Sequence, residues 1–155
     1  MQISLFQPPR QTPRPFDRSA APAVTTWRNP DPAVLLVDDD PAVRESLRRV
    51  LIGEGLHVFS ASGGDEALRF LELHEPDLLI TDLCLASTDG WGILARESRL
   101  RPELPIFVIT ALPPQESGGA DKVADEFFQK PLDLDALLAA IRGHLGAPAS
   151  AHPQS

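Results

Sequence analysis

The chain has 155 residues, of which 43% are hydrophobic and 6% aromatic, with one cysteine and a formal net charge of −8. This length suits one ordinary domain, and a single cysteine excludes an internal disulfide framework. No apolar run approaches the roughly 18 residues of a transmembrane helix, and residues 1–30 lack the apolar centre of a secretory signal, so we expect a cytoplasmic protein without membrane association.

Charge and proline content divide the chain into three parts. Residues 1–30 contain six of the 16 prolines and carry a net charge of +3, whereas residues 31–155 carry −11. We expect residues 1–30 to form a disordered tail containing proline and arginine, residues 31–146 the folded domain, and residues 147–155 a short flexible tail. The acidic balance of the folded part argues against direct nucleic-acid binding, because contacts to phosphates supply most of the non-specific affinity.

Strands and helices alternate from Ala33 onward. Short apolar runs predict buried strands, and apolar residues at helical spacing predict the helices between them. Pro41 suits the first position of a helix with Asp40 as its N-cap. The predicted strands are Ala33–Val37, Leu56–Ser60, Asp77–Thr81, Ile106–Ile109 and Glu126–Gln129. The predicted helices run from Pro41 to just before Gly53, over Asp65–Leu73, over Trp91–Arg99, in a short piece reaching Val123 or Ala124, and over Leu134–Leu145.

Five strands alternating with five helices predict a doubly wound α/β domain whose parallel sheet is covered on both faces. In such sheets ligands bind beyond the carboxyl ends of the strands. Four predicted strands are followed there by polar residues, namely Asp38 and Asp39, Asp82, Thr110, and Lys130. We therefore expect these side chains to converge at one crevice.

The chemistry of this set favours phosphoryl transfer. Three carboxylates close together repel one another, and a hard divalent cation such as Mg²⁺ relieves that repulsion. The Lys130 ammonium supplies a second positive charge. A central carboxylate such as Asp82 can act as the nucleophile and form an acyl phosphate. The Thr110 hydroxyl is a donor that can turn toward the new phosphoryl oxygens.

Four segments in this order resemble a known family. They are Leu35–Pro41 (LLVDDDP), Thr81–Leu83 (TDL) with Asp89-Gly90, Val108–Ala111 (VITA) and Phe128–Pro131 (FQKP). Together they make the chain from Ala33 to Leu145 similar to the CheY-like receiver domain of two-component response regulators. The resemblance implies a flavodoxin-like sheet with strand order 2-1-3-4-5.

The resemblance also implies a role for each matching residue. Asp82 resembles the phosphorylated aspartate, and Lys130 resembles the lysine that pairs with the phosphoryl group. The implied protein ligands of Mg²⁺ are the carboxylates of Asp38, Asp39 and Asp82 and the backbone carbonyl of Cys84. The implied switch positions are Thr110 and Phe127.

The resemblance implies a stand-alone response regulator. It would accept phosphate on Asp82 from a histidine kinase or a phosphotransfer protein, and then act on a protein partner in trans or relay the phosphate. It implies no enzyme activity beyond Mg²⁺-dependent self-phosphorylation and slow self-dephosphorylation.

The sequence departs from the family pattern in several places. Ala86 stands where the family usually has proline, and Phe127 replaces the commoner tyrosine. The segment between Thr110 and Lys130 is shorter than in many relatives and rich in proline and glycine, so we expect a short fourth helix. Neither Cys84 nor Leu112 offers a carboxylate or amide to orient an attacking water, which predicts a comparatively long-lived acyl phosphate.

Two other functions compete with this interpretation. A phosphatase of the haloacid dehalogenase type would use Asp38 as nucleophile and Asp40 as acid and base, but Ala42 stands where that family has threonine or valine, and no acidic pair ends a strand after Lys130. A docking module that works without phosphorylation is the third alternative. The complete set of acidic residues argues against it.

Overall fold

The computed structural model describes residues 31–85 and 90–146, so the predicted tails and Ala86 lie outside the described residues. The strands are β1 (Ala33–Val37), β2 (His57–Ala61), β3 (Leu78–Thr81), β4 (Ile106–Thr110) and β5 (Glu126–Gln129). The helices are α1 (Pro41–Gly53), α2 (Gly64–Leu73), α3 (Gly90–Leu100), α4 (Ala120–Val123) and α5 (Leu134–Leu145). None of these described helices is long and apolar enough to cross a bilayer.

All strand pairings are parallel, and the strand order is β2-β1-β3-β4-β5. This order, with five helices, confirms the doubly wound flavodoxin-like fold predicted from the sequence. At the end of β1, Val37 is in register with Ala61 of β2 and Thr81 of β3, and Thr81 is in register with Val108 of β4. The residues that follow these strands therefore share one edge of the sheet.

Helices cover the sheet on both faces, which explains why its central strands are apolar without alternation. Every residue of β3 and β4 is buried. One face packs mainly against α2 and α3, through Ala67, Leu71, Ile93 and Leu94. The opposite face packs against α1 and α5, through Leu47, Leu51, Leu137 and Ile141.

The start of α1 lies directly after β1 and is capped as predicted. The Asp40 carboxylate accepts hydrogen bonds from the backbone N–H groups of Ala42 (2.9 Å) and Val43 (3.4 Å), and Pro41 occupies the first turn. Asp40 satisfies two of the N–H groups that a helix start leaves without intrahelical partners. This cap sets the angle at which the chain turns away from the acidic residues.

The second strand begins one residue later than predicted. The backbone N–H of Leu56 donates to the carbonyl oxygen of Leu51 at 3.2 Å, in the closing turn of α1. Gly55 makes this turn possible with a φ of +86°, a conformation that glycine adopts without a steric penalty. Leu56 thus belongs to the helix ending, and β2 runs from His57 to Ala61.

The α4 segment, residues 111–125, connects β4 to β5 with little regular structure. It contains a 3-10 turn over Pro114–Glu116 and the four-residue helix α4. Gly118 and Gly119 have φ values of +67° and +93°, which end the 3-10 turn in a conformation that other residues rarely adopt. The fourth helix is therefore short, as its prolines and glycines predict.

Candidate active site

Two buried carboxylates form the centre of the site. Asp38 follows β1 and is 2% exposed, and Asp82 follows β3 and is 6% exposed. The Asp82 N–H donates to the carbonyl of Val37 at 3.1 Å, which continues the pairing of the two strands by one residue. This contact places the two aspartates side by side on neighbouring strand ends.

Each of these carboxylates has one oxygen oriented by the backbone. Asp38 Oδ1 accepts a hydrogen bond from the N–H of Asp40, and Asp82 Oδ1 accepts one from the N–H of Cys84, both at 2.9 Å. Hydrogen bonds between a carboxylate and a residue two positions later are typical of turns that start with aspartate. They fix both carboxylates in their loops, so the loops hold the site in a defined shape.

Lys130 joins the two carboxylates. Its Nζ lies 2.9 Å from Asp82 Oδ2 and 3.1 Å from Asp38 Oδ2, across 48 and 92 residues of sequence. Burial of the ammonium lowers the pKa of Lys130, but hydrogen bonds from the ammonium to Asp82 and Asp38, with the charges of these carboxylates, outweigh burial and raise the pKa above its ordinary 10.5. Lys130 is therefore a fixed positive charge beside Asp82.

Asp39 completes a group of three carboxylates that could hold a metal ion. Oxygen atoms of Asp38, Asp39 and Asp82 all lie within 4.8 Å of one another. With Lys130 as the neighbouring cation, three carboxylates leave an excess of negative charge in a largely buried place. Oxygen donors with that charge are the ligand set that Mg²⁺ prefers, so the residues present fit this ion.

The remaining predicted residues lie around this centre. Thr110 is fully buried at the end of β4, and its hydroxyl oxygen accepts a hydrogen bond from the N–H of Leu112 at 3.3 Å. Phe127 lies in β5, partly buried, and packs against the core face formed with α2 and α3. Cys84 is exposed beside Asp82. The structure thus brings Asp38, Asp39, Asp82 and Lys130 into one group, with Thr110 on the strand next to β3.

The predicted alternative that uses Asp40 as acid and base finds no support in the geometry. The Asp40 carboxylate is directed to the N–H groups of Ala42 and Val43 as the cap of α1. These two hydrogen bonds engage the carboxylate with its own helix start. The cap role predicted for Asp40 accounts for its position.

The sequence did not predict how Gly90 and Arg44 contact the site. Gly90, read there as part of a turn, approaches the loop after β3 so closely that an added Cβ would lie 2.1 Å from the main-chain oxygen of Asp82. Arg44 donates from Nη1 to the main-chain oxygen of Asp38 at 2.7 Å. The Asp89-Gly90 motif indicated that Gly90 has a special position. Nothing in the sequence distinguishes Arg44 from the other arginines of α1.

Comparison with known proteins identifies close similarity to one family. The family model described as the response regulator receiver domain matches residues 34–142. Response regulator MprA of Mycobacterium leprae is 40% identical over 114 residues, covering 72% of this chain and 50% of that protein. MprA of Mycobacterium ulcerans is also 40% identical over 114 residues, with 49% of that protein covered. This chain therefore spans about half the length of these relatives.

Solved structures agree with the sequence matches. The response regulator protein TrrA of Thermotoga maritima, in complex with Mg²⁺-BeF, is 28% identical with a TM-score of 0.68, and the match covers 74% of this chain and 99% of that one. A CheY-like receiver domain protein of Methanospirillum hungatei is 28% identical with a TM-score of 0.69, covering 73% and 92%. The acidic strand ends described above lie within residues 34–142, the range that the family model matches.

Proposed function

We propose that this chain, which belongs to the response regulator receiver domain family of two-component systems, accepts a phosphoryl group on Asp82. The observation that carries the proposal is the position of the Asp82 carboxylate, buried at the end of β3 with Oδ2 2.9 Å from the Lys130 ammonium. Asp38 and Asp39 place further carboxylate oxygens within 4.8 Å. A nucleophile next to a fixed cation and an acidic metal site is the arrangement that phosphoryl transfer requires.

In the proposed reaction a carboxylate oxygen of Asp82 attacks the phosphorus atom of a phosphohistidine. A bond forms between that oxygen and phosphorus, the bond between phosphorus and the histidine nitrogen breaks, and the departing imidazole takes up a proton. Lys130, already 2.9 Å from the carboxylate, neutralises charge on the phosphoryl oxygens. The donor is a histidine kinase or a phosphotransfer protein.

The divalent ion in this proposal is Mg²⁺. The carboxylates of Asp38, Asp39 and Asp82 would hold it. The backbone carbonyl of Cys84 is the fourth protein ligand that the family resemblance implies. When bound, Mg²⁺ neutralises the phosphoryl oxygens and helps to align the donor. Each carboxylate oxygen has two lone pairs, so Asp38 and Asp82 can keep the hydrogen bonds to their loops while they bind the ion.

Thr110 and Phe127 are the residues proposed to reorient after phosphorylation. Phosphorylation adds about −1.5 to −2 charges at this strand edge. The Thr110 hydroxyl, which accepts from the Leu112 N–H, also carries a proton that it can donate to a phosphoryl oxygen. The movement of Thr110 allows Phe127 to reorient and alters the surface formed by the α4 segment, β5 and α5.

The output of the protein is proposed to be an interaction with a downstream protein or onward transfer of the phosphate, in the cytoplasm and without other catalytic activity. Two residues near Asp82 and Thr110 favour a long lifetime of the acyl phosphate. Cys84 and Leu112 lie two positions beyond them, and neither side chain can orient water for attack on the acyl phosphate. Self-dephosphorylation is accordingly slow.

The test is labelling of the full chain by acetyl phosphate with Mg²⁺, followed by intact mass spectrometry. Wild type should gain one phosphoryl group, and Asp82→Asn should gain none, because an amide is not a nucleophile for this transfer. Asp135→Asn, which changes an exposed carboxylate in the first turn of α5, is the control and should be labelled like wild type. Labelling of Asp82→Asn at wild-type stoichiometry would refute the assignment of Asp82.

A further inference from the structure

Arg44, which takes no part in the proposed reaction, forms a hydrogen bond to the main chain between Asp38 and Asp39. Arg44, partly buried in α1, donates from Nη1 to the carbonyl oxygen of Asp38 at 2.7 Å. On the other side of the same residue, the Asp38 N–H donates to the carbonyl of Ala61 at 3.2 Å. Both polar backbone groups of Asp38 are therefore bonded to neighbouring elements.

The other nearby arginines of α1 behave differently. Arg48 and Arg49 pair with Glu45 on the helix surface, at 3.4 Å and 3.2 Å, and their side chains are 40% and 77% exposed. Exposed pairs of this kind contribute little to stability. Arg44 instead directs a charged donor to a backbone carbonyl, and hydrogen bonds with one charged partner are shorter and stronger than neutral ones.

The carbonyl that Arg44 holds belongs to the peptide unit between Asp38 and Asp39. Because a peptide unit is planar, fixing its carbonyl fixes the directions in which the chain leaves it on both sides. The Asp38 carboxylate is oriented separately, by the N–H of Asp40 and by Lys130. The guanidinium thus constrains how the two carboxylates stand relative to one another.

We propose that Arg44 is a positioning residue for the divalent-cation site: by holding the Asp38–Asp39 peptide it keeps both carboxylates in the arrangement that binds Mg²⁺. This inference rests on the proposed function, since it assigns Arg44 to the same site. Groups that orient metal ligands without touching the metal typically contribute about 10- to 100-fold to metal affinity.

Charge alone predicts the opposite effect, and this makes the inference testable. The Arg44 guanidinium is positive and close to the acidic group, so by Coulomb repulsion it weakens binding of a divalent cation. If charge were its only influence, removing it would tighten Mg²⁺ binding. If positioning dominates, removing it weakens Mg²⁺ binding, so the sign of the change separates the two roles.

The experiment is a Mg²⁺ titration of the full chain without phosphodonor, followed by the NMR amide shifts of Asp82 and Cys84. We expect Arg44→Met to raise the dissociation constant about tenfold, at the lower end of the range for such residues. Arg44→Gln keeps an N–H donor without the charge and should bind between wild type and Arg44→Met. Arg49→Met removes an exposed arginine of the same helix and should bind like wild type.

Binding by Arg44→Met as tight as wild type, or tighter, would overturn the positioning role. Should Arg44→Met not fold, Arg44→Gln decides in the same way, because equal or tighter binding contradicts the inference. Asp39→Asn separates this test from the proposed function. If wild type binds Mg²⁺, and Asp39→Asn weakens that binding while the Arg44 variants do not, only the role of Arg44 is contradicted. If wild type binds no Mg²⁺, the proposed metal site itself is contradicted.

Discussion

The acidic site and the α4 segment lie at neighbouring strand ends but are built in different ways. The carboxylates of Asp38 and Asp82 are buried, bonded to their own loops, and joined by Lys130. The α4 segment has a four-residue helix, and the strand that follows it, β5, is only partly buried. The proposed chemistry thus lies at the ends of buried strands, next to a segment with little regular structure.

This difference has a physical reason. The acidic residues extend from β1 and β3, which, like β4, have a neighbour on each side within the sheet. Residues of Leu, Val and Ile line both faces of β1 and β3. Buried, fully paired strands open only at a high free energy, whereas short helices with few buried contacts open at a low one. The proposed switch needs an element that opens at a low free energy, and the proposed phosphorylation site needs a rigid one.

The largest expected effect comes from Gly90, where α3 approaches the site. Gly90→Ala places a Cβ 2.1 Å from the Asp82 main-chain oxygen and 2.8 Å from Leu83 Cα. Because these are backbone atoms, the loop must move, and we expect a loss of about 1–3 kcal/mol in the free energy of unfolding. Labelling by acetyl phosphate with Mg²⁺ should fall as well. Denaturant unfolding and the labelling assay measure the two effects.

Gly143 in α5 is the matched control for Gly90. A Cβ added there meets nothing within 4 Å. Gly143→Ala should raise stability by about 0.5–1 kcal/mol, since alanine favours the helix, and should leave labelling unchanged. Equal stability and labelling of Gly90→Ala and wild type would show that the loop after β3 tolerates displacement, and that the acidic site is no more rigid than the α4 segment.

The α4 segment should respond to a smaller change at Ser117. Its buried hydroxyl lies 2.7 Å from the Pro114 carbonyl oxygen and 2.9 Å from Asp121 Oδ1, and it accepts from the Asp121 N–H at 3.4 Å. Ser117→Ala should cost about 1 kcal/mol, as for other lost helix-start bonds. Hydrogen exchange should quicken in residues 114–124 and stay unchanged in β1 and β3. Faster exchange in β1 and β3 as well as in residues 114–124 would mean that the acidic site and the α4 segment unfold together.

The smallest expected effect is the pH dependence contributed by Glu66 at the start of α2. Hydrogen bonds from the Ser62 N–H (3.0 Å) and hydroxyl (2.8 Å) lower the pKa of Glu66 below its ordinary 4.5, and the charge of Arg44 contributes after them. A lowered pKa means that the ionised carboxylate stabilises the fold above pH 4.5 and that this stabilisation disappears as the pH falls through the lowered value. Glu66 is largely exposed, so the effect stays below about 1 kcal/mol.

Comparing wild type with Glu66→Gln isolates this contribution. The free energies of unfolding of the two proteins should differ near pH 6–7 and converge as the pH falls through the lowered pKa of Glu66. A constant difference across the whole range would show that the amide substitution acts through packing and not through the charge of Glu66.

Much of the fold could be predicted from local patterns in the sequence. Unbroken apolar runs identified β1, β3 and β4, because strands buried on both faces have no polar side. Proline and glycine predicted both the start of α1 and the shortness of α4. The boundary of β2 was one residue out, since Leu56 forms a backbone hydrogen bond within the closing turn of α1, and that bond leaves no mark on the apolar pattern.

The order of strands and helices and the set of polar residues at the strand ends could be predicted from the amino-acid sequence, because both depend on neighbours a few positions apart. Which atoms come into contact depends on the tertiary fold. Lys130 reaches Asp38 across 92 residues, and the backbone of α3 at Gly90 closes against Asp82. Arg44 contacts Asp38 while Arg48 and Arg49 face outward from the same helix. These contacts depend on strand register and on the rotation of each helix against the sheet, which burial of the whole core sets and no single segment encodes.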